Sequence, residues 1–212
     1  MTASWSPTAR ENDALQRHAQ VQKLPRVDSV WPWLADRHGA IAALDAPHAA
    51  HPERFNFGEL AERIATAAAA FRRNGVNEGD VVALFAENSP RWLVADQGLM
   101  RAGAADAVRG ASAPVEELRY ILMDCQATAL VVQNAEVWRR LALAPDQRVQ
   151  LRFVLQLEGG PAEGAIGWEA FLASGAGLDP VRLARGRDAV ATVLYTSGTT
   201  GQPKGVPLTH AN

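Results

Sequence analysis

Asn77-Glu78-Gly79-Asp80-Val81-Val82-Ala83-Leu84-Phe85-Ala86-Glu87-Asn88-Ser89-Pro90-Arg91-Trp92 decides the fold class. Its first four residues carry turn chemistry, and the five from Val81 to Phe85 form an unbroken apolar run, the pattern of a strand buried on both faces. Ser89 can accept hydrogen bonds from the first turn of a helix whose first position is Pro90, and Gly103 stops that helix after Arg101. A doubly buried strand followed so closely by a helix is one βα unit of a parallel sheet.

Outward from this unit the alternation continues. Upstream, Leu60, Ile64, Ala67, Ala68 and Phe71 recur at helical spacing over residues 57–73, with Gly75 as the stop. Downstream, strands are expected at 105–108, 129–132, 152–157 and 189–196. Helices are expected after Pro114 (with Leu118, Ile121 and Leu122), over 136–142 and over 168–172, with a loop at 158–164. The expected fold is α/β, a mainly parallel sheet with flanking helices joined by right-handed crossovers. Residues 1–29 are polar, contain Pro7 and Pro25, and read as a mobile leader holding one helix around 13–22. The packed domain runs from Val30 to Asn212.

Composition narrows the function classes. Of 212 residues 48% are hydrophobic and 21% charged, which is too apolar for a disordered chain. The formal net charge of −2 argues against a nucleic-acid partner held by bulk electrostatics. Cys125 is the only cysteine, so no internal disulfide and no cysteine metal cluster can form. The longest apolar stretches, such as 64–71, fall far short of the roughly 18 residues of a membrane span. Arg10, Glu11, Asp13, Arg17 and Lys23 break any secretory or transit leader. A cytoplasmic protein is expected, with peripheral association at a membrane surface as a secondary expectation.

The last predicted strand runs into Tyr195-Thr196-Ser197-Gly198-Thr199-Thr200-Gly201-Gln202-Pro203-Lys204-Gly205. Hydroxyls at 196, 197, 199 and 200 offer donors, Gly198, Gly201 and Gly205 let the backbone approach a ligand, and Lys204 adds a compact positive charge. Lys204 is one of only two lysines in the chain. Leaving the carboxyl end of a strand, where open α/β sheets bind ligands, such a loop suits a nucleotide polyphosphate. It is not a Walker A loop, because Lys204 does not follow a glycine and Gly205 rather than Ser or Thr follows it. Nor is it a dinucleotide fingerprint, because the G-x-G opening is missing.

The segment YTSGTTGQPKGVPLTHAN at 195–212 resembles the phosphate-binding signature of the AMP-forming acyl-CoA synthetases, the adenylate-forming family. FGELAERIATAAAAFRRNGVNEGD at 57–80 and Asn88-Ser89-Pro90-Arg91-Trp92 are similar to the opening of the same enzymes. Residues 91–122 most resemble the long-chain fatty acyl-CoA and acyl-acyl-carrier-protein synthetases of cyanobacteria and plastids. The resemblance implies that residues 30–212 are the N-terminal part of a large adenylation domain. It also implies a two-step ligase in which a fatty carboxylate attacks the α-phosphorus of ATP and a thiol of coenzyme A or acyl carrier protein then takes the acyl group. By matching position, Thr196, Ser197, Gly198, Thr199, Thr200, Gly201 and Lys204 would hold the ATP β- and γ-phosphates, and Thr196 would help ligate Mg²⁺. Such residues neutralise charge and hold the leaving group in line.

These enzymes resemble chains of several hundred residues. The later glutamate, ribose aspartate, adenine shelf, acyl tunnel and C-terminal lysine domain all lie beyond position 212, so the chain reads as an N-terminal piece with no catalytic residue of its own. A sheet ending at 189–196 would leave an open edge and an unburied apolar face, and aggregation of the isolated chain is expected. Another acyl- or aryl-CoA ligase, or an amino-acid-adenylating enzyme, is the alternative within the enzyme class. Outside it stands a catalytically silent nucleotide-binding fragment.

The remaining polar candidates have plainer readings. Thr209 is a plausible N-cap, so His210 is assigned to a helix start and no catalytic role. His18, His38, His48 and His51 lack zinc-helix spacing. Trp31, Trp33, Trp92 and Trp138 read as packing residues. Arg109 could face the ligand crevice or pair with an acidic neighbour, and Glu116 and Glu117 are first-turn helix acids.

Overall fold

In a computed structural model that describes residues 8–196 and 202–212, the elements in chain order are as follows. The first group is α1 (Ala9–Val21), α2 (Val30–His38), β1 (Ala42–Ala46), β2 (Glu53–Asn56), α3 (Phe57–Arg73), β3 (Val81–Phe85) and α4 (Pro90–Ala102). Then come β4 (Ala105–Arg109), α5 (Val115–Asp124), β5 (Ala129–Val132), α6 (Ala135–Leu141), α7 (Pro145–Val149) and β6 (Val154–Gln156). The series closes with β7 (Ile166–Gly167), α8 (Trp168–Gly175), β8 (Val190–Thr196) and β9 (Lys204–Thr209). β1 and β2 form a small antiparallel hairpin. The other seven strands make one sheet in the order β7-β6-β5-β3-β4-β8-β9, parallel throughout except for the final β8–β9 pair.

Local chemistry starts the helices where the sequence places them. Asn56 Oδ1 accepts from Glu59 N at 2.8 Å while Glu59 Oε2 accepts from Asn56 N at 2.9 Å, a reciprocal cap that opens α3. Ser89 Oγ accepts from Trp92 N at 3.1 Å ahead of Pro90, and Gly103 leaves α4 with φ +90°.

Side chains alternate along the central strands, so each face of the sheet has its own core. Val82, Leu84, Val131 and Leu155 pack against Leu60, Ile64 and Phe71 of α3, Val94 and Leu99 of α4, and Phe171 of α8. Ala83, Phe85, Leu130 and Val132 pack against Leu118, Ile121 and Leu122 of α5 and Trp138 and Leu141 of α6. The alanine run 67–70 has a packing reason: all four side chains are buried on a helix that packs against α2, α4 and α8. A Cβ on Gly98 would lie 2.8 Å from Ala67 Cβ, so α3 and α4 touch at a separation only small residues permit.

Two arginines stitch distant segments together. Arg91 donates to Leu157 O (2.6 Å) and Glu169 Oε1 (2.9 Å), joining α4 to the end of β6 and to α8. Arg26, buried beside Asp28 at 2.9 Å, donates to Met100 O (2.6 Å) in the last turn of α4 and to Arg185 O (3.2 Å). A cation there complements the carboxyl end of the helix dipole.

One expectation is corrected. The sheet does not end at β8: β9 returns antiparallel to it and becomes the edge strand, leaving Leu194 and its cross-strand partner Val206 exposed on one side. Thr209 ends β9, and its hydroxyl accepts from Ala211 N while its own N–H donates to Asn212 Oδ1, the reciprocal contacts expected of a cap. The β1–β2 hairpin, α7 and the two-residue β7 were not read from the sequence, and α1 spans 9–21 rather than 13–22.

His210, just past β9, is buried, and its Nδ1 accepts from Val27 N at 3.2 Å. Burial, with the Arg26 guanidinium next in effect and Asp28 opposing, pulls its pKa down to about 4 from 6.5. Between those values the unfolded chain binds a proton that the folded chain refuses, so this group's contribution is intact above pH 6.5 and is lost as pH falls toward 4. Denaturant unfolding at pH 7 and pH 4.5 should show a smaller pH difference in His210→Gln than in the parent chain. At the other end of the core, Gly175→Ala would press a methyl onto the Thr66 carbonyl and within 2.6 Å of Ala70 N. Its cost should be about 1–3 kcal/mol in urea unfolding, and a change below about 0.5 kcal/mol would contradict the packing account.

Candidate functional site

Parallel pairing brings the carboxyl ends of β6, β5, β3, β4 and β8 to one edge of the sheet. The chain turns polar as it leaves each strand, and these polar groups are linked. After β3, Glu87 Oε1 accepts from Ser112 N (3.0 Å) and Ser112 Oγ (2.9 Å) in the segment following β4. Those bonds hold the Glu87 carboxyl below its usual pKa. Glu87 N donates to Gln133 Oε1 (3.2 Å) just past β5, and Gln133 Nε2 donates to Glu158 Oε2 (3.3 Å) past β6. A Cβ on Gly110 would sit 3.1 Å from Glu87 Oε1, so glycine lets the two segments approach. Gln156 is fully buried and folds residues 158–162 back over the edge, donating to the carbonyls of Glu158 (2.7 Å) and Gly160 (2.8 Å) and accepting from Ala162 N (3.1 Å).

Thr196 closes β8 at this same edge, and Lys204 opens β9 as its cross-strand partner; both side chains are exposed. Among the described residues Lys204 makes no ion pair, so its ammonium faces solvent beside the Thr196 hydroxyl's strand end. Ser197, Gly198, Thr199, Thr200 and Gly201 lie outside the described residues. The segment they belong to is therefore strung between two antiparallel strands, whereas a Walker A loop runs from a strand into a helix. A hydroxyl and a lysine at the two ends of one short loop form a donor set suited to anionic oxygens, and the threonine oxygen is a hard ligand of the kind Mg²⁺ takes.

Other candidates resolve into packing or pairing. Arg109 ends β4 and bonds Glu117 at 2.9 Å, which satisfies the acidic-neighbour reading. Glu116 pairs with Arg119. Trp31 Nε1 donates to Gln97 Oε1 (2.6 Å), Trp138 Nε1 to Glu163 O (3.2 Å), and Trp33 carries the Arg37 guanidinium over its ring. Among the described residues no group of three or more His, Cys, Asp or Glu side chains could hold a metal ion. Among the described residues no helix is long and apolar enough to cross a membrane.

Sequence reasoning missed Glu87, Ser112 and Gln133. Their signal was available: each is among the first polar side chains after an apolar parallel strand, where the chain must turn at the ligand edge.

The family described as AMP-binding enzyme matches residues 32–212. A long-chain-fatty-acid–[acyl-carrier-protein] ligase of Arabidopsis thaliana chloroplasts is 34% identical over 94% of this chain and 30% of its own length. The chain thus spans about a third of that relative. Among solved structures, a long-chain-fatty-acid–CoA ligase from Archaeoglobus fulgidus superposes with a TM-score of 0.74 at 26% identity, covering 88% of this chain and 37% of the other. An anthranilate CoA ligase in complex with anthranoyl-AMP superposes at 0.77 with 23% identity, covering 90% and 36%, a likeness of fold.

Removing the Glu87 carboxylate should unlock the β3–β4 end of this edge. In Glu87→Ala, exchange of the Ser112 amide should quicken at least about tenfold by NMR, while amides in the middle of β3 stay protected; unchanged Ser112 exchange would contradict the linkage.

Proposed function

We propose, from the premise that this chain belongs to the AMP-binding enzyme family, that it supplies the ATP-phosphate site of an acid–thiol ligase. In this reading the ligase activates a long-chain fatty acid through an acyl-adenylate and passes the acyl group to coenzyme A or acyl carrier protein. The observation that carries the reading is the placement of Thr196 and Lys204 as paired ends of one loop at the carboxyl edge of the sheet. The long-chain substrate class is supported by the 34% identical relative, whose name gives a fatty-acid substrate and a carrier-protein acceptor.

The chain's own residues do electrostatic work. Lys204 neutralises anionic phosphate oxygens, and Thr196, with the hydroxyls and amides of Ser197, Gly198, Thr199, Thr200 and Gly201, holds the leaving pyrophosphate in line with the attacking carboxylate. Mg²⁺, when bound through Thr196, spreads the charge that develops on the phosphate oxygens. No general acid, base or nucleophile is assigned within these 212 residues. The ligase is proposed to be a protein of the cell interior that meets its fatty acid in solution or at a membrane surface.

Fatty-acid-dependent exchange of pyrophosphate into ATP tests this in the intact protein. Lys204→Ala should lower kcat/KM for ATP about 10- to 100-fold while KM for the fatty acid stays within about twofold. Equal loss for both substrates with the fold intact would remove Lys204 from the phosphate site. Exchange driven by benzoate or an amino acid rather than by a fatty acid would move the chain to another branch of the family.

A further inference from the structure

Tyr195 lies one residue before Thr196 and directly opposite Gly205, so the Tyr195–Gly205 rung sits just inside the Thr196–Lys204 rung where the candidate phosphate loop is strung. Its ring is buried against the α5 face of the sheet, and its hydroxyl donates to Asp124 Oδ2 at 2.6 Å. Asp124 is the last residue of α5, and its other oxygen accepts from Tyr120 on the same helix at 3.3 Å. An acid in the last turn of a helix faces the negative end of the helix dipole, so its position there is unfavourable without compensation. Two tyrosine hydroxyls supply it, the shorter bond being a charge-assisted O–H···O⁻ contact.

Gly205 completes the arrangement. A Cβ at 205 would meet Tyr195 Cζ at 3.0 Å, its hydroxyl oxygen at 3.1 Å and Val193 Cγ1 at 3.2 Å. The tyrosine would have to shift by a few tenths of an ångström at the very end that carries its bond to Asp124. β8 is tied on one side to β4 through Thr192, Val193 and Leu194, whereas β9 is an edge strand held by β8 alone. Beyond Leu194 the pairing with β4 stops, so among the described residues the end of β8 that bears Thr196 and faces Lys204 is held by hairpin pairing, by burial of the Tyr195 ring and by the bond to α5.

We infer that Tyr195, Asp124 and Gly205 form a latch that positions Thr196 and Lys204 for the nucleotide phosphates. Tyr195 and Asp124 are positioning residues in this account: they act through the hairpin and touch no ligand. The inference rests on the phosphate-site reading given under the proposed function.

In the intact protein, the test compares amide exchange across 194–196 and 204–206 with the Kd for Mg–ATP, measured by calorimetry on the same samples. Tyr195→Phe and Asp124→Ala should each quicken hairpin exchange and raise the Kd about three- to tenfold, leaving exchange in β3 and β5 unchanged. Asp124→Asn keeps an acceptor oxygen and should stay near the parent in both measurements. Tyr195→Phe combined with Asp124→Ala should be no worse than either alone, as expected of two halves of one contact. Unchanged hairpin exchange in Tyr195→Phe would overturn the latch, and faster exchange with an unchanged Kd would overturn its positioning role. Lys204→Ala run in parallel separates the two ideas. If it binds Mg–ATP like the parent, or if the parent does not bind, the phosphate-site reading fails and the positioning role with it. If Lys204→Ala is weak while Tyr195→Phe binds normally, the latch alone is wrong.

Discussion

Parallel pairing of β4 with both β3 and β8 is the constraint on which the rest of the molecule depends. A parallel sheet needs crossovers that return the chain to the same starting edge, so helices cover both faces and the strands become apolar on both. The same geometry gathers the carboxyl end of every parallel strand at one edge, with turns, glycines and polar side chains gathered there as well. Fold and candidate site are thus two consequences of one pairing pattern, and the linked Glu87, Ser112, Gln133 and Glu158 side chains mark where that edge lies.

Much of this was legible in the sequence because the signals were local and strong. Val81–Phe85 and Ala129–Val132 are unbroken apolar runs, and both became central strands with unchanged bounds. Ser89-Pro90 and Gly103 bracketed α4 because a hydroxyl cap, a proline at the first position and a left-handed glycine each act through a few neighbouring atoms. The parts that escaped depend on distant partners. β1 and β2 mix polar and apolar residues and form only by pairing with each other, and β7 is two residues long, set by its neighbour β6. β9 escaped for a different reason: KGVPLT contains a proline and faces solvent over most of its length, features tolerated on an edge strand and easily read as loop.

The candidate site divides the same way. Residue types at 196–204 indicated a polyphosphate loop from the sequence alone, but the return of the chain as an antiparallel strand, which sets Thr196 opposite Lys204, required the sheet. Tyr195 and Asp124 lie 71 positions apart, so no local pattern could pair them; they meet because α5 and β8 share one face. The cap context of Thr209 and Asn212 was local and legible, whereas the burial of His210 and its acceptance of the Val27 N–H depend on a segment 183 positions away.

The central claim is that the loop joining β8 to β9 receives nucleotide phosphate. Hydrogen–deuterium exchange of the peptide spanning 195–205, with and without Mg–ATP, tests it most directly, because it reads the loop and both its ends in one measurement. The account predicts slower exchange there on adding Mg–ATP, with the helices behind the sheet unaffected. Protection confined to another part of the chain, or none at saturating nucleotide, would contradict it.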